Sequence, residues 1–234
     1  MKMTPAAGSL SRYLAYAAGL TAASYAAFAG YTWLCFGHPS IAVKREEEDA
    51  VLDRFMPTYD VVERHNIRVA APAEVTFSTA CKMDLQRSRV IRAVFKARDC
   101  ILRTQSRTNP DAHGFLSQMK AIGWGVLAEI PGREIIMGAV TQPWLPNPVF
   151  RPLLPGDFAA FDDPDYVKIV WTLRADPIDD QESVFRTETR ALATDQTARS
   201  KFRLYWSFVA PGVRVIRWMS GRLVKAAVHG ARLH

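Results

Sequence analysis

The stretch from Ser183 to Gly212, SVFRTETRALATDQTARSKFRLYWSFVAPG, predicts a strand that runs directly into a long helix. One face of the strand carries Phe185, Thr187, Thr189 and Ala191, and the other carries Arg186, Glu188 and Arg190. The alternating charges predict a solvent-exposed ladder between neighbouring strands.

Asp195 can cap the helix that follows. The apolar stripe of this helix consists of Ala198, Phe202, Tyr205, Trp206 and Val209. Pro211 and Gly212 should break or kink it, and the basic remainder either packs on the sheet or lies on a membrane surface.

Residues 59–75, YDVVERHNIRVAAPAEV, predict a strand over 59–70 and a helix from residue 72 onward. Alternate residues of a strand share a face, and most residues on one face here are apolar, so that face should look inward. Glu63 and His65 lie in the middle of this face. An acid and a histidine at inward positions require a polar partner, which either the protein core or a bound molecule can supply.

The elements between these two stretches complete an α+β pattern. The sequence predicts helices over 72–84, 86–104 and 115–121, then a hairpin of strands 123–130 and 134–142. A proline-rich segment over 143–164 cannot form one regular element, and a strand follows over 165–176. We therefore expect a curved antiparallel sheet wrapped around the long carboxy-terminal helix.

Two stretches resemble the START-like, or SRPBCC, superfamily: HNIRVAAPAEVTFSTA at residues 65–80 and the segment quoted first, at 183–212. The resemblance covers residues 57–229, and the second stretch is similar to uncharacterised bacterial SRPBCC proteins. It implies a helix-grip fold with an elongated cavity between sheet and helix. Relatives bind or transfer lipids, coenzyme Q, sterols or plant hormones, and some cyclise polyketides. No residue set performs one reaction across the superfamily, so the fold alone does not define the function.

If the first strand forms part of a cavity wall, Glu63 and His65 orient the polar end of an otherwise apolar ligand. Alternatively they form a core Glu–His or Glu–Arg pair, or a change of face exposes both. Candidate wall residues, which are equally compatible with an ordinary core, are Trp124, Val126, Met137, Trp171, Leu173, Phe185, Tyr205 and Trp206.

Three functions follow from this interpretation. The first is a membrane-anchored START-like domain that binds or transfers a hydrophobic small molecule, such as a lipid, an isoprenoid or a polyketide-like aromatic. The second is an enzyme of the polyketide cyclase or dehydratase type, with Glu63 and His65 as acid–base candidates. The third is a non-enzymatic interaction module with a filled cavity.

The amino-terminal region predicts a membrane location. Residues 13–36 contain no charge and would span roughly 36 Å as a helix, against a bilayer core of about 30 Å. We expect residues 1–37 to be an anchor, with a cleaved signal segment as the alternative because Ala27-Phe28-Ala29 offers a cleavage site. Residues 38–56 then form a charged stalk before a START-like domain over 57–234. The flanking charges do not indicate which side of the membrane the domain occupies.

Charge and cysteine content limit the partners. The chain has 30 Lys+Arg against 23 Asp+Glu, a formal net charge of +7. Zinc-finger spacing, a Gly-rich phosphate loop and an RNA-binding signature are all missing from the sequence, which argues against nucleic acid. Basic faces over 87–103 and 214–232 either are solvated or contact anionic lipid headgroups. The spacing of Cys35, Cys81 and Cys100 matches no metal motif, so we expect neither a metal nor a cofactor.

Overall fold

The computed structural model describes residues 5–38, 48–84, 88–93, 96 and 114–231. Within these ranges the elements are α1 (Pro5–Cys35), α2 (Ala50–Asp53), β1 (Val61–Val69), α3 (Ala73–Lys82), α4 (Phe115–Ala121), β2 (Gly125–Ile130), β3 (Glu134–Thr141), α5 (Pro155–Ala160), β4 (Val167–Pro177), β5 (Ser183–Ala193) and α6 (Gln196–Ala231). Most of the helix predicted over 86–104, with its basic face, lies outside the described residues.

The five strands form one antiparallel sheet in the order β1-β5-β4-β3-β2. The first and last strands of the chain are therefore neighbours, and β1 lies at an edge. Their register pairs Glu63 with Thr189 and His65 with Thr187. Helix α6 packs against β1, β5 and β4. The prediction of an α+β fold with an antiparallel sheet and a long carboxy-terminal helix is confirmed.

The sheet face that α6 covers is filled by two apolar clusters. One cluster contains Phe185 and Trp171 from the strands together with Val224 and Val228 from α6. The other lies toward the start of α6 and is built around Phe202. Between these clusters lie the inward positions of Glu63, His65, Thr187 and Thr189 on β1 and β5. The inner face therefore has a polar band between two apolar regions.

The opposite face of the sheet is also covered. Helices α2 and α5 place the fully buried Leu52 and Phe158 against it. Arg190 is buried here, donating to Glu188 at 2.7 Å and to the carbonyl oxygen of Met56 at 2.7 Å. The predicted solvent-exposed ladder is therefore wrong, because the chain before β1 folds over these charges.

This arrangement also corrects the stalk prediction for residues 48–56. Asp49, Leu52 and Met56 are buried against the sheet, so this segment packs as part of the folded domain. Residues 39–47 of the predicted stalk lie outside the described ranges.

Helix α1 runs antiparallel to the first half of α6. Phe36 packs edge-on against Phe202, and Arg203 of α6 stacks over Trp33. Contrary to the predicted break, α6 continues through Pro211. Proline lacks the N–H that would bond the carbonyl four residues earlier, at Ser207. The Thr32 hydroxyl lies 3.3 Å from that carbonyl oxygen, so α1 offers it a polar neighbour.

The predicted membrane anchor is wrong. In the ranges that the structure describes, no helix combines the length and the apolar character needed to cross a membrane. The charge-free segment of α1 is diluted by alanine, glycine, serine, threonine and tyrosine, which lowers its hydropathy. The far end of α1 packs against α6, whereas residues 12–24 are exposed along their whole length. The single-pass location inferred from the sequence is therefore not supported.

Candidate functional site

A partly open cleft of about 380 Å³ lies between the edge strand β1 and helix α6. Its lining residues are Val62, Glu63, Arg64, His65, Arg214 and Arg217. The cleft lies beside the polar band of the inner face. It therefore brings together the two residues that the sequence singled out, Glu63 and His65, with two arginines that it did not.

Glu63 forms an ion pair at the rim of this cleft. Arg214 Nε donates to both Glu63 carboxylate oxygens, at 2.9 Å and 3.1 Å. The Glu63 side chain is 11% exposed, whereas that of Arg214 is 46% exposed. The Arg214 guanidinium also lies over the ring of Phe28 in α1, 4.7 Å from its centroid. Of the alternatives drawn from the sequence, a Glu–Arg pair describes Glu63 best, and a Glu–His pair does not.

His65 packs directly against α6. A Cβ atom on Gly221 would come within 3.0 Å of His65 Nε2, so the absent side chain of this glycine permits the close approach. Nε2 itself is buried and has no hydrogen-bond partner among the described residues. Burial, and then the charge of Arg217, lowers the pKa of His65 below its ordinary value of 6.5. His65 is consequently a neutral imidazole at neutral pH with one unused nitrogen.

Arg217 reaches from α6 across the inner face of β5. Its Nη1 donates to the Thr187 hydroxyl at 3.2 Å, and its Nη2 donates to the Thr189 hydroxyl. Its Nε is buried without a partner in the described parts of the chain. Burial lowers the pKa of Arg217 to about 10, although Glu63 and Glu188 oppose that shift. Arg217 still carries its charge at neutral pH.

Sequence reasoning missed Arg217, but a signal for it was present. Thr187 and Thr189 occupy inward positions on β5 and lie opposite His65 and Glu63 in the strand register. These four polar residues, two on each of two neighbouring strands, require a polar partner from the covering helix. Arg214 and Arg217 are three residues apart and hence lie on one side of α6.

The candidate wall residues occupy the two apolar clusters of the inner face. The cluster that contains Phe185, Val224 and Val228 buries Met137, Trp171, Leu173 and Phe185, and Trp124 and Val126 pack against it. The cluster around Phe202 buries Trp206, and Tyr205 packs beside it. Trp124 and Trp171 meet edge to face, with ring centroids 5.8 Å apart. None of these eight side chains is among those lining the cleft. Their role in ligand binding remains a prediction.

A second group of buried charges lies on the outer face of the sheet. Arg174 Nη2 contacts Asp176 at 2.8 Å, and its Nη1 lies 3.7 Å from Asp49. The neighbouring Glu134 is 3% exposed, and one of its oxygens has no hydrogen-bond partner within the described ranges. Burial, and then the Asp49 carboxyl group, raises the pKa of Glu134 to about 8. This group bridges α2 and the sheet.

Metal-ligating groups do not gather in the described residues, where no set of three or more His, Cys, Asp or Glu side chains could hold an ion. Cys35 and Cys81 are free thiols. Burial raises the pKa of Cys81 to about 11, which makes it a poor nucleophile at neutral pH. Cys100 lies outside the described residues.

Comparison with known proteins gives distant similarities in structure. Neither a protein-family model nor a curated protein sequence matches the chain. A conserved protein from Geobacillus kaustophilus is 12% identical, with a TM-score of 0.34 over 73% of this chain and 96% of the other. The di-domain ARO/CYC protein BexL from the BE-7585A biosynthetic pathway is 16% identical, with a TM-score of 0.32, over 72% of this chain. The chain covers 46% of BexL.

Norcoclaurine synthase from Thalictrum flavum, in complex with dopamine and hydroxybenzaldehyde, is 9% identical, with a TM-score of 0.29. That similarity covers 81% of this chain and 96% of the other. These neighbours resemble the chain only distantly. At such TM-scores they carry no argument about function, which rests here on the geometry of the cleft.

Proposed function

We propose that this protein binds a small organic molecule in the cleft between β1 and α6, with a polar group of that molecule against His65. The observation that carries the proposal is the buried Nε2 of His65, which finds no hydrogen-bond partner in the described parts of the chain. Leaving a buried polar atom unsatisfied costs about 1–3 kcal/mol. A ligand that hydrogen-bonds this atom removes that cost, and the free energy recovered favours binding in the cleft.

The filled inner face restricts how such a molecule lies. Beyond His65 the space between sheet and helix is occupied by the cluster around Trp171 and Phe185. A lipid, isoprenoid or polyketide-like body therefore extends outward from the cleft, with its polar end inside. This orientation differs from that of a ligand enclosed between the sheet and α6 along the whole length of the helix.

Native mass spectrometry and solvent extraction of the purified full chain test for such a compound. We expect a bound small molecule in the unaltered protein and its loss in His65→Leu, which removes the hydrogen-bonding nitrogen. Arg68→Leu is the matched control, because Arg68 is exposed on the same strand but points to the other face. Affinity should fall about 5- to 150-fold in His65→Leu alone, the equivalent of 1–3 kcal/mol. Equal retention of the compound by both variants would contradict the proposal.

An acid–base enzyme is the second candidate function, and the neutral state of His65 favours it. An imidazole with a lowered pKa and an unused nitrogen can accept a proton from a bound substrate. Glu63 is less suited to this role, because Arg214 engages both of its oxygens. A cyclase or dehydratase of this kind should therefore lose turnover in His65→Leu but retain most of it in Glu63→Gln. A filled interaction module, in contrast, would yield neither a bound compound nor turnover.

A further inference from the structure

We infer that the group bound against His65 is an anion, a carboxylate or a phosphate, and that Arg217 is its counter-ion. This inference rests on the proposed function and adds the chemical class of the ligand. The starting observation is the half-buried side chain of Arg217, whose Nε is fully buried, together with its surroundings.

Arg217 carries a charge into the interior without a direct ionic partner. In the described parts of the chain it donates to two neutral hydroxyls, those of Thr187 and Thr189. In the described residues, no carboxylate lies within ion-pair distance of it, and its Nε–H is buried and unused. Burying a charge that is not paired is among the costliest arrangements in a protein. An anion in the cleft would supply the missing partner.

The carboxylates nearest to Arg217 are engaged elsewhere. Glu63 is bound by Arg214 through both oxygens. Glu188 lies on the outer face of the sheet, where it accepts from Arg64 at 3.0 Å and from Arg190 at 2.7 Å. Both carboxylates favour the charged form of Arg217 from a distance, but neither forms a hydrogen bond with it. Among the described residues, Arg217 therefore lacks both an ionic partner and an acceptor for its Nε–H.

The side chains that line the cleft carry a net positive charge, which attracts an anion. Arg214 and Glu63 pair with each other there, His65 is neutral, and Arg217 adds a further positive charge, whereas the guanidinium of Arg64 pairs with Glu188 on the outer face. An oxyanion that accepted from Arg217 Nε and from His65 in its Nε2–H tautomer would satisfy both unused atoms. A neutral carbonyl or hydroxyl could satisfy the hydrogen bonds but would leave the charge unpaired. The geometry thus favours an acid over its neutral analogue.

The test compares three probes of one shape by isothermal titration calorimetry on the full chain: 2-naphthoate, 2-naphthyl phosphate and the neutral 2-naphthamide. We expect the better of the two anions to bind at least about tenfold more tightly than the amide, a preference equivalent to 1.4 kcal/mol. Which anion binds better identifies the acid as a carboxylate or a phosphate. Glu63→Gln should strengthen binding of both anions, because it removes the one negative charge of the lining.

The Arg217→Gln variant should abolish the preference for an anion without lowering the melting temperature, since it removes a half-buried charge that has no ionic partner among the described residues. Arg222→Gln is the matched control: it makes the same change of charge on the same helix, at an exposed residue stacked on Trp218. It should retain the preference. A preference that survives Arg217→Gln, or that Arg222→Gln removes equally, would overturn the inference.

Two further outcomes separate this inference from the proposed function. Equal binding of amide and anions, lost in His65→Leu, would overturn the anionic ligand and leave the binding cleft standing. Binding of none of the probes would count against the cleft itself. A fall in the melting temperature of Arg217→Gln without any change in binding would assign Arg217 a structural role and overturn its role as a counter-ion.

Discussion

Burial in the folded protein raises the pKa of a single residue, Glu134. It lies at the start of β3, against Asp49 of the chain before α2 and near Arg174 and Arg133. Its pKa rises from 4.5 to about 8 because burial disfavours the carboxylate and Asp49 adds to that effect. Below pH 4.5 the folded and unfolded states both hold this proton. Between pH 4.5 and 8 only the folded state retains it, so stability falls as the pH rises.

Glu134→Gln should remove this pH dependence. The difference in unfolding free energy between the variant and the unaltered chain should grow by up to about 1.4 kcal/mol per pH unit between pH 5 and 8. Titration of groups that do not contact Glu134, His65 included, cancels in that difference. Denaturant unfolding of both proteins across this range measures it. Two curves that stay parallel with pH would show that Glu134 ionises in the folded state as it does in the unfolded chain.

The sequence predicted that two polar residues of β1 face inward, but not what surrounds them. Alternation on the strand identified Glu63 and His65 as polar residues at inward positions, and both line the cleft. It could not show that Arg214 pairs with Glu63, or that Gly221 lets His65 approach α6, because those contacts join residues some 150 positions apart. Side-chain partners between distant segments depend on the fold, which residue spacing alone does not give.

At the scale of elements, α2 is a short helix that the rest of the chain holds in place. Asp49 caps it, accepting from the backbone N–H groups of Val51 at 3.1 Å and Leu52 at 2.9 Å. A single turn gains little from its own hydrogen bonds. The burial of Leu52 against the outer face of the sheet is therefore what fixes it there.

Leu52→Ala should destabilise the protein by about 2–5 kcal/mol, because it leaves a cavity at a fully buried site. The neighbouring Val51 is half-buried, and Val51→Ala should cost about 1 kcal/mol. Thermal or denaturant unfolding of both variants makes the comparison. Equal, small effects would indicate that residues 48–56 are not docked on the sheet in solution, as a stalk would require.

The elements themselves followed from local patterns, whereas their exposure did not. Alternation predicted β1, β4 and β5, and helical periodicity predicted α6. The charged face of β5 was interpreted as exposed because charges usually face water. Here Arg64 and Arg190 bracket Glu188, so that the charges compensate one another beneath α2. A pattern of alternating charge is compatible with either environment, and only the covering segment decides between them.

At the scale of the whole molecule, the sheet is covered on both faces and the opening lies at its edge. The resemblance to START-like proteins predicted the order of sheet and helix correctly. It also led us to expect an elongated internal cavity, but the aromatic residues proposed as its walls pack in the two apolar clusters. Apolar side chains alone do not distinguish a lined cavity from a filled core, since both use the same residues. The proposed binding site therefore rests on the polar band of the inner face, beside the cleft, and not on the apolar residues.

The central claim, a small molecule bound at the edge of the sheet, is tested most directly by an NMR titration of the isotopically labelled full chain with 2-naphthoate. This experiment reports position as well as binding. We predict saturable shifts of the backbone amides over residues 62–65 and 214–221, together with a change in the His65 ring nitrogens. Shifts centred on the indole N–H groups of Trp124 and Trp171, with residues 62–65 unchanged, would move the ligand into the core and contradict the account. A complete absence of saturable shifts would contradict it as well.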